Sequence, residues 1–418
     1  MTSRGVAVAV LALLLVVLGV LAATLIPWHE APAPRADQLQ ALRSLPAGQV
    51  ARGAAFAAAK RPATYGSLAV GLVVAIVLGL TPLGARIVTA VGRPFGGGWA
   101  VQALLGGLVI VFIGSLVTLP FSAWQQVTLR RYDLSTQGWA GWTIDVLKGY
   151  AITAVVGGVV LLGFYGVVRL APRTWWAWTA AGAAAFVVLA SFVLPVVFEP
   201  IFNSFTPMPA GPLRTQLIAV ADRDGVPVKD VLVADASRRT RAVNAYVSGF
   251  GATRRIVVYD TLLEQATPAE VTSVVAHELG HAKDNDVLVG TVIGALGAAA
   301  AVIAIYLLGS WRGLLRLAGV TGIGEPRAIA LLLAVAAIAG LVAGPAQNLV
   351  SRHIEARADT HALQLTDDPE TFEQMQARLA QINIANVDPN PFEFVMFASH
   401  PSTVQRMAAA IAYAQGAR

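Results

Sequence analysis

Seven apolar segments run along this chain, separated by stretches rich in polar and charged residues. A transmembrane helix needs about 20 consecutive, mostly apolar residues, and each segment is long enough to supply them. The segments cover roughly residues 5–27, 66–92, 98–123, 150–171, 175–202, 286–310 and 326–347. The pattern therefore predicts a mainly α-helical, polytopic membrane protein with about seven transmembrane helices.

The first segment has two interpretations. It follows the charged start MTSR, as the apolar core of a secretory signal peptide does. Such a core usually has about 7–15 residues, and the apolar stretch here is longer. We therefore favour an uncleaved membrane anchor.

Residues 203–285, between the fifth and sixth segments, are long enough to form a small folded lobe. PLRTQLIAVADRDG has the pattern of a helix that ends at Gly225. VKDVLVADAS, RAVNAYVSGF and RRIVVYDT have the pattern of strands, the last two joined by GAT. TPAE then predicts a helix start, with Thr267 as N-cap, Pro268 in the first turn and Glu270 as capping-box partner. The lobe is therefore predicted to be α+β.

The segments divide the chain into four parts. Residues 1–202 form an N-terminal membrane region with five spans, and residues 203–285 form the lobe. Residues 286–347 hold spans six and seven, and residues 348–418 form a helical C-terminal tail. Within the first part, residues 28–65 have the composition of a proline-bounded, partly helical loop.

Composition supports a membrane protein and excludes some kinds of site. The chain is 56% hydrophobic and 13% charged, whereas soluble domains carry about 25% charged residues. It has no cysteine, which excludes disulfides and thiolate metal sites. The net charge of +6 fits basic loops on one side of a membrane better than nucleic-acid binding. The alanine- and glycine-rich composition indicates a bacterial source. We therefore expect the protein to lie in the bacterial cell membrane.

The distribution of basic residues predicts the orientation. With seven crossings, the lobe and the tail lie on one side and the N-terminus on the other. The lobe side carries 22 Lys and Arg and the opposite side 8, together the 30 of the chain. Because cytoplasmic loops are enriched in these residues, we expect the lobe to be cytoplasmic.

The helix predicted after Thr267 carries the motif HELGH, residues 277–281. Two histidines four residues apart share a helix face, so His277 and His281 can bind one zinc ion. Glu278 lies beside them, within reach of an attacking water molecule, and is the candidate general base. The alternative is a surface helix with two solvated histidines.

A catalytic zinc site needs a third protein ligand. The extended motif with a third histidine fails, because Asp284 and Val287 occupy its last two positions. The segment NLVSRHIEARADTHA instead carries a polar stripe at helical spacing, formed by Asn348, Ser351, Glu355 and Asp359. We predict Glu355 as the third ligand and Asp359 as the partner of the outer nitrogen of a bound histidine. The alternative is a polar helix face at the membrane surface.

Topology supports this pairing. Two spans separate His281 from Glu355, and two crossings return the chain to the side that it left. His353 and His361 fall on other faces of the same helix, so we expect them to be surface or packing residues.

Four further residues are candidates for substrate binding. The strands before the zinc helix offer an edge for an extended peptide, where Asn244 and Tyr246 would face the cleft unless they are ordinary strand residues. His400, before a helix expected to open at Pro401, could stabilise an oxyanion or cap that helix. Arg406 could bind a substrate carboxylate or form a structural ion pair.

Five stretches of the sequence resemble the type I CAAX prenyl protease family. They are HELGH, the residues from Asn348 to Asp359, NAYVSGF, SHPSTVQRM and the earlier YDLSTQGWAGWTIDVLKGY. Members of this family are seven-span membrane zinc endopeptidases whose spans enclose a water-filled chamber.

The resemblance implies a role for each residue of the predicted site. It implies one Zn²⁺ per chain, held by His277, His281 and Glu355, with Glu278 as base. It also implies that His400 and Asn244 contact the substrate or the transition state.

The resemblance implies a peptide or protein substrate, lipidated or membrane-associated, and the charge pattern gives no reason to expect a nucleic-acid partner. Eukaryotic members remove the last three residues after a prenylated cysteine. NAYVSGF lacks the aromatic residue that often follows the tyrosine in the family. We therefore predict the peptidase chemistry and leave two roles open, CAAX-type processing and quality control of membrane proteins.

Other classes fit less well. Site-2 proteases place the motif inside a span and use an N-P-D-G-like ligand segment, which NVDPNPFEF does not supply. Heat-shock proteases of this kind have four spans. A transporter would carry more ionisable groups within its spans. An inactive receptor or scaffold with a degenerate lobe is the main alternative from another class, and the intact base and ligands disfavour it.

Overall fold

A computed structural model describes residues 2–30, 32–249 and 251–416. Within these residues, seven helices are long and apolar enough to cross a membrane, as the sequence predicts. We call them spans 1 to 7: Ser3–Leu25, Ala47–Gly79, Trp99–Arg131, Trp139–Leu170, Trp175–Phe192, Asp286–Leu308 and Pro326–Thr366. The protein is therefore a multi-pass membrane protein of mainly α structure.

The predicted second segment is divided in the structure. Span 2 begins at Ala47 and ends at Gly79, and a separate helix covers Pro82–Gly92. Thr81 caps the new helix by accepting a hydrogen bond from the Leu83 amide (3.3 Å). Proline has no N–H to continue the preceding helix, so an apolar run that looks continuous in sequence is broken here.

The fifth predicted segment is also shorter than expected. Span 5 ends at Phe192, and a second helix, Leu194–Phe202, follows it. Other helices are longer than the bilayer is thick. Spans 2 and 3 have 33 residues each, or about 50 Å at 1.5 Å per residue, against a hydrocarbon core of about 30 Å. These helices therefore extend beyond the membrane.

Span 7 continues furthest into the polar region. After a short turn at Pro326–Ala328, one helix runs from Ile329 to Thr366 over 38 residues. It has risen about 30 Å by residue 349. The polar stripe of the sequence therefore lies on the part of this helix that emerges from the bilayer.

The lobe contains a mixed sheet of four strands within the described residues. These are β1 Phe205–Pro207, β2 Asp230–Ala234, β3 Ala245–Ser248 and β4 Arg255–Tyr259, in the order β1-β2-β4-β3. β2 and β4 are parallel, whereas β1 and β3 are antiparallel to their neighbours. The three predicted strands are present, with Gly251–Thr253 as the turn between the last two. Phe250, in the predicted NAYVSGF segment, lies outside the described residues.

Three helices complete the lobe: Pro212–Arg223, Asp260–Gln265 and Pro268–Lys283. We call Pro268–Lys283 the histidine helix. It starts with the predicted capping box, in which Thr267 and Glu270 bond each other's backbone amides. Its fully buried side chains at helical spacing pack on the sheet: Val271, Val275 and Leu279. That packing fixes the orientation of the opposite, polar face.

The C-terminal tail folds back against the end of span 7. Its helices are Pro369–Ile382, Pro391–Phe397 and Thr403–Ala414. Ser402 caps the last helix through a capping box with Gln405, so the expected start at Pro401 is corrected by two residues. Together with the helix Arg35–Ser44, the tail forms an apolar cluster that includes Ala41, Ala380, Val404 and Met407.

Candidate functional site

Three electron-pair donors from two helices converge at one point. His277 and His281 come from the histidine helix and Glu355 from span 7, and their ligand atoms lie within 4.8 Å of one another. The two Nε2 atoms are 3.2 Å apart. Glu355 Oε2 is 3.3 Å from the Nε2 of His277, and Glu355 Oε1 is 3.6 Å from the Nε2 of His281. The two spans between them thus bring the predicted residues together.

Each imidazole is held from behind by a carboxylate. The Nδ1 of His277 lies 2.9 Å from Asp359, and the Nδ1 of His281 lies 2.8 Å from Asp286. Each carboxylate accepts a hydrogen bond from the Nδ1–H of its histidine, which leaves Nε2 as a lone-pair acceptor. Among the described residues, no hydrogen-bond partner is found for the buried Glu355 Oε2. The acceptors that face one another therefore fit a shared cation.

Asp359 lies against His277, as the sequence predicts, and the guanidinium of Arg406 lies on the other side of its carboxylate. Its carboxylate is 2% exposed and accepts two hydrogen bonds from Arg406, at 2.9 Å from Nε and 2.5 Å from Nη2. Burial acts to lower the pKa of His277, but the neighbouring carboxylates of Asp359 and Glu355 outweigh it and raise the pKa to about 9. The site thus attracts positive charge to the imidazoles.

Arg406 forms the structural ion pair that the sequence left open as one of two roles. Its Nη2 also lies 3.3 Å from the Nδ1 of His277. Because the guanidinium is committed to Asp359, binding of a substrate carboxylate by Arg406 stays a prediction.

Glu278 is half-buried next to the three donors and opens onto a cavity of about 270 Å³. Burial raises the pKa of its carboxyl, and the charge of Glu355 acts in the same direction. A carboxylate with a raised pKa accepts a proton more readily near neutral pH. Glu278 therefore lies at the cavity beside the three donors, and its role as a general base stays a prediction.

Asn244 and His400 line the same cavity. The His400 side chain is 58% exposed, and its Nε2 lies 3.4 Å from Glu355 Oε1. Asn244 immediately precedes β3, which is an edge strand of the sheet as described. Both side chains are placed where they can meet a substrate.

Tyr246 is placed differently from the prediction that it faces the cleft. Its hydroxyl donates a hydrogen bond to Glu199 at 3.0 Å, on the helix that follows span 5. Of the two strand residues chosen from sequence, the structure brings only Asn244 to the cavity within the described chain.

The two other histidines of the span 7 helix have packing partners, as expected from their faces. His353 Nδ1 lies 2.9 Å from the Glu30 carbonyl. His361 Nε2 lies 3.1 Å from Asp224, and its ring packs against Gly280.

Sequence reasoning missed two residues that support the site. Asn383 forms two hydrogen bonds with the backbone of Val243, at 3.0 and 3.3 Å, and so fixes the residue before Asn244. Asp286 supports His281. Its only sequence signal is a carboxylate five residues beyond the motif, whereas Asn383 offers no signal that points to this strand.

Two family models match this chain. Residues 207–414 match the family model "Peptidase family M48". Residues 48–204 match the model "CAAX prenyl protease N-terminal, five membrane helices". The two matches together cover residues 48–204 and 207–414, which include the lobe and spans 2 to 7 but not span 1.

Individual relatives and one solved structure extend the likeness. The chain is 30% identical to the metalloprotease YhfN of Bacillus subtilis, over 72% of this chain and 71% of that protein. It is 30% identical to a CAAX prenyl protease 1 homolog of Oryza sativa subsp. japonica, over 73% and 72%. The crystal structure of S. mikatae Ste24p has the same fold, with a TM-score of 0.79 and 20% identity, covering 98% of this chain and 99% of that one.

Proposed function

The chain belongs to the CAAX prenyl protease group of peptidase family M48, and from this premise we propose that it is a zinc endopeptidase. His277, His281 and Glu355 are the proposed zinc ligands, and Glu278 is the proposed general base. The observation that carries the proposal is the convergence of the three electron-pair donors beside the half-buried carboxyl of Glu278.

The spacing of the three donors fits zinc. Ligand atoms about 2.1 Å from a tetrahedral zinc ion lie about 3.4 Å from each other. The distances between the donors are 3.2, 3.3 and 3.6 Å. Two imidazoles and one carboxylate are also a ligand set of catalytic zinc, which leaves a fourth position for water or substrate. The donors would therefore hold one Zn²⁺ per chain.

Bound zinc supplies a Lewis acid that acidifies water and polarises the peptide carbonyl. Glu278 accepts the proton of the attacking water and delivers it to the nitrogen of the leaving amine. His400 and Asn244 are the proposed donors to the oxyanion and the substrate backbone. The free edge of β3 is the proposed site for an extended peptide.

The substrate is proposed to be a peptide or protein at the membrane surface. Spans 6 and 7 support the site from below, and the polar end of span 7 emerges from the bilayer beside it. Relatives of this chain carry the name CAAX prenyl protease 1, which favours processing near the C-terminus of a lipidated chain. Quality control of membrane proteins is the second candidate. We also expect the spans of this chain to enclose a water-filled chamber, as the family resemblance implies.

The test replaces the proposed base. Glu278→Gln keeps the shape of the side chain but cannot accept the proton. We expect cleavage of a fluorogenic peptide library to fall by about 10²–10⁴-fold, with zinc still bound. Glu264→Gln, an exposed change in the same lobe, is the matched control. Elemental analysis of both purified proteins measures zinc per chain, and wild-type cleavage by Glu278→Gln would exclude Glu278 as the base.

The inactive receptor or scaffold receives no support from the site. The base and the three donors are all present and oriented toward one another. An inactive lobe would show neither zinc-dependent cleavage nor its loss in Glu278→Gln.

A further inference from the structure

Asp286 links the candidate metal centre to the membrane. It is the first residue of span 6, and its Oδ2 lies 2.8 Å from the Nδ1 of His281. Its side chain is 9% exposed, so water competes little for this hydrogen bond. The same carboxylate therefore starts a membrane helix and holds a proposed zinc ligand.

The backbone explains how Asp286 reaches His281. In an unbroken helix, residues five apart do not share a face. Here the histidine helix ends at Lys283, and Asn285 adopts a left-handed conformation with φ of 55°. Asparagine tolerates this conformation better than most residues. The turn redirects the chain and brings the Asp286 carboxylate back to the ring.

Arg357 holds this carboxylate from the other side. Its Nη2 bonds Asp286 Oδ1, and its Nε lies 2.7 Å from Asp284 Oδ2. Arg357 lies two residues beyond Glu355 on the helix of span 7. A single guanidinium thus ties the turn after the histidine helix to the helix that carries the third proposed ligand.

The arrangement repeats the one behind the other histidine. Asp359 contacts His277 and is itself paired with Arg406. Asp286 contacts His281 and is itself paired with Arg357. In both cases a carboxylate accepts from Nδ1–H and a guanidinium neutralises the carboxylate. The two sets of contacts come from different elements. Behind His277, the carboxylate belongs to span 7 and the guanidinium to the tail. Behind His281, the carboxylate belongs to span 6 and the guanidinium to span 7.

We propose that Asp286, held by Arg357, is a positioning residue for His281. It fixes the Nδ1–H tautomer and the ring orientation, so that Nε2 points at the cation, and its charge increases the basicity of the ring. The proposal rests on the proposed zinc function. It also means that the position of spans 6 and 7 is coupled to the geometry of the metal centre.

A structural role alone gives a different expectation. An acidic residue in the first turn of a helix stabilises the helix dipole, and the ion pair with Arg357 stabilises the turn. Asp284 offers the matched comparison, because it pairs with Arg357 and precedes the same helix, while the contact with His281 belongs to Asp286. A merely structural role would give the two residues similar effects on zinc binding.

The experiment uses full-length protein in lipid nanodiscs, stripped of metal and titrated with zinc against a chelator. We expect Asp286→Ala to weaken zinc binding about 10–100-fold, and Asp284→Ala to stay within about twofold of the wild type. Asp286→Asn keeps the volume of the side chain and is expected to lose part of the affinity. The visible spectrum of the Co²⁺-substituted proteins should change in the Asp286 variants alone.

The outcomes separate the two proposals. Wild-type zinc affinity in Asp286→Asn, or equal losses in Asp284→Ala and Asp286→Ala, would overturn the positioning role. If Asp286→Ala does not fold, Asp286→Asn decides alone. A wild-type protein that takes up no zinc would instead overturn the proposed function, whatever the variants do.

Discussion

At the scale of single residues, the site is defined by the carboxylates that surround its two imidazoles. Each Nδ1–H of the two imidazoles is directed outward to a carboxylate, which leaves the Nε2 lone pairs facing Glu355. Lone pairs this close need a positive charge between them, which a metal ion or a proton on His277 supplies. The outer partners therefore determine what the centre binds as much as the three donors do.

The role of His400 can be tested at this scale. Its Nε2 lies 3.4 Å from Glu355, and the ring is 58% exposed toward the cavity. If it donates to the oxyanion, His400→Ala should lower kcat by about 10²–10³-fold and change KM little. Steady-state kinetics with a fluorogenic peptide measures both constants, and elemental analysis checks that zinc stays bound.

His353→Ala is the control for this experiment, because His353 bonds the Glu30 carbonyl on another face of the span 7 helix. A His400→Ala variant that changes KM while keeping kcat would assign His400 to substrate binding in the ground state.

The residues differ in how far sequence could predict them. His277, His281 and Glu355 follow from spacing on two regular helices, and Asp359 lies one turn beyond Glu355. Asp286 could not be predicted in this way, because its position depends on the left-handed Asn285 that ends the helical register. Asn383 reaches the site through tertiary packing of the tail, which local sequence does not encode.

At the scale of elements, the histidine helix is fixed at its start as well as by its packing. Glu270 is 3% exposed, completes the capping box and accepts a hydrogen bond from Arg378 at 2.6 Å. Burial acts to raise the pKa of Glu270, but the bonds from Arg378 and Thr267 outweigh it and lower the pKa. The ionised carboxylate thus joins the histidine helix to the tail helix Pro369–Ile382.

This contact predicts a pH dependence of stability. A carboxyl whose pKa is lower in the folded state contributes stability above its unfolded pKa of about 4.3, and that stability is lost as the pH falls through the folded value. Glu270→Gln should therefore be less stable at neutral pH, by about 1–2 kcal/mol. The difference from the wild type should shrink as the pH falls below about 4.

Thermal unfolding of the detergent-solubilised protein, recorded from neutral pH to acid, measures this difference. Glu264→Gln changes an exposed carboxyl of the same lobe and should leave the curve unchanged. A constant gap between Glu270→Gln and the wild type at every pH would contradict the ionic contribution of Glu270.

Element boundaries show where apolar pattern is informative and where it is not. The number of spans follows from segment length, because each needs enough apolar residues to cross the bilayer. The ends do not follow, because spans 2 and 3 continue as helices beyond the apolar run and Thr81 with Pro82 breaks a run that continues. Capping and packing with other elements set those ends.

At the scale of the whole molecule, the site depends on an even number of crossings. Spans 6 and 7 carry the chain away from the lobe and back, and the 38-residue helix of span 7 is long enough to leave the bilayer and reach the histidine helix. The tail then covers this junction through Arg406 and His400. The candidate metal centre, the lobe and the tail consequently lie on one side of the membrane.

The last prediction concerns which side this is. The lobe side carries 22 of the 30 Lys and Arg. Because cytoplasmic loops are enriched in these residues, the lobe is expected to be cytoplasmic. The chain has no cysteine, so a single introduced cysteine can be labelled without background. Glu264→Cys in the lobe and Arg316→Cys in the loop between spans 6 and 7 replace exposed residues on opposite sides.

In intact cells, a membrane-impermeant maleimide should label Arg316→Cys and leave Glu264→Cys unlabelled until the membrane is permeabilised. The reverse pattern would place the lobe outside the cell and exclude cytoplasmic substrates. Labelling of both positions in intact cells would contradict the crossing number of spans 6 and 7. If only one of the two spans crossed the membrane, His281 and Glu355 would lie on opposite sides and could not share a cation.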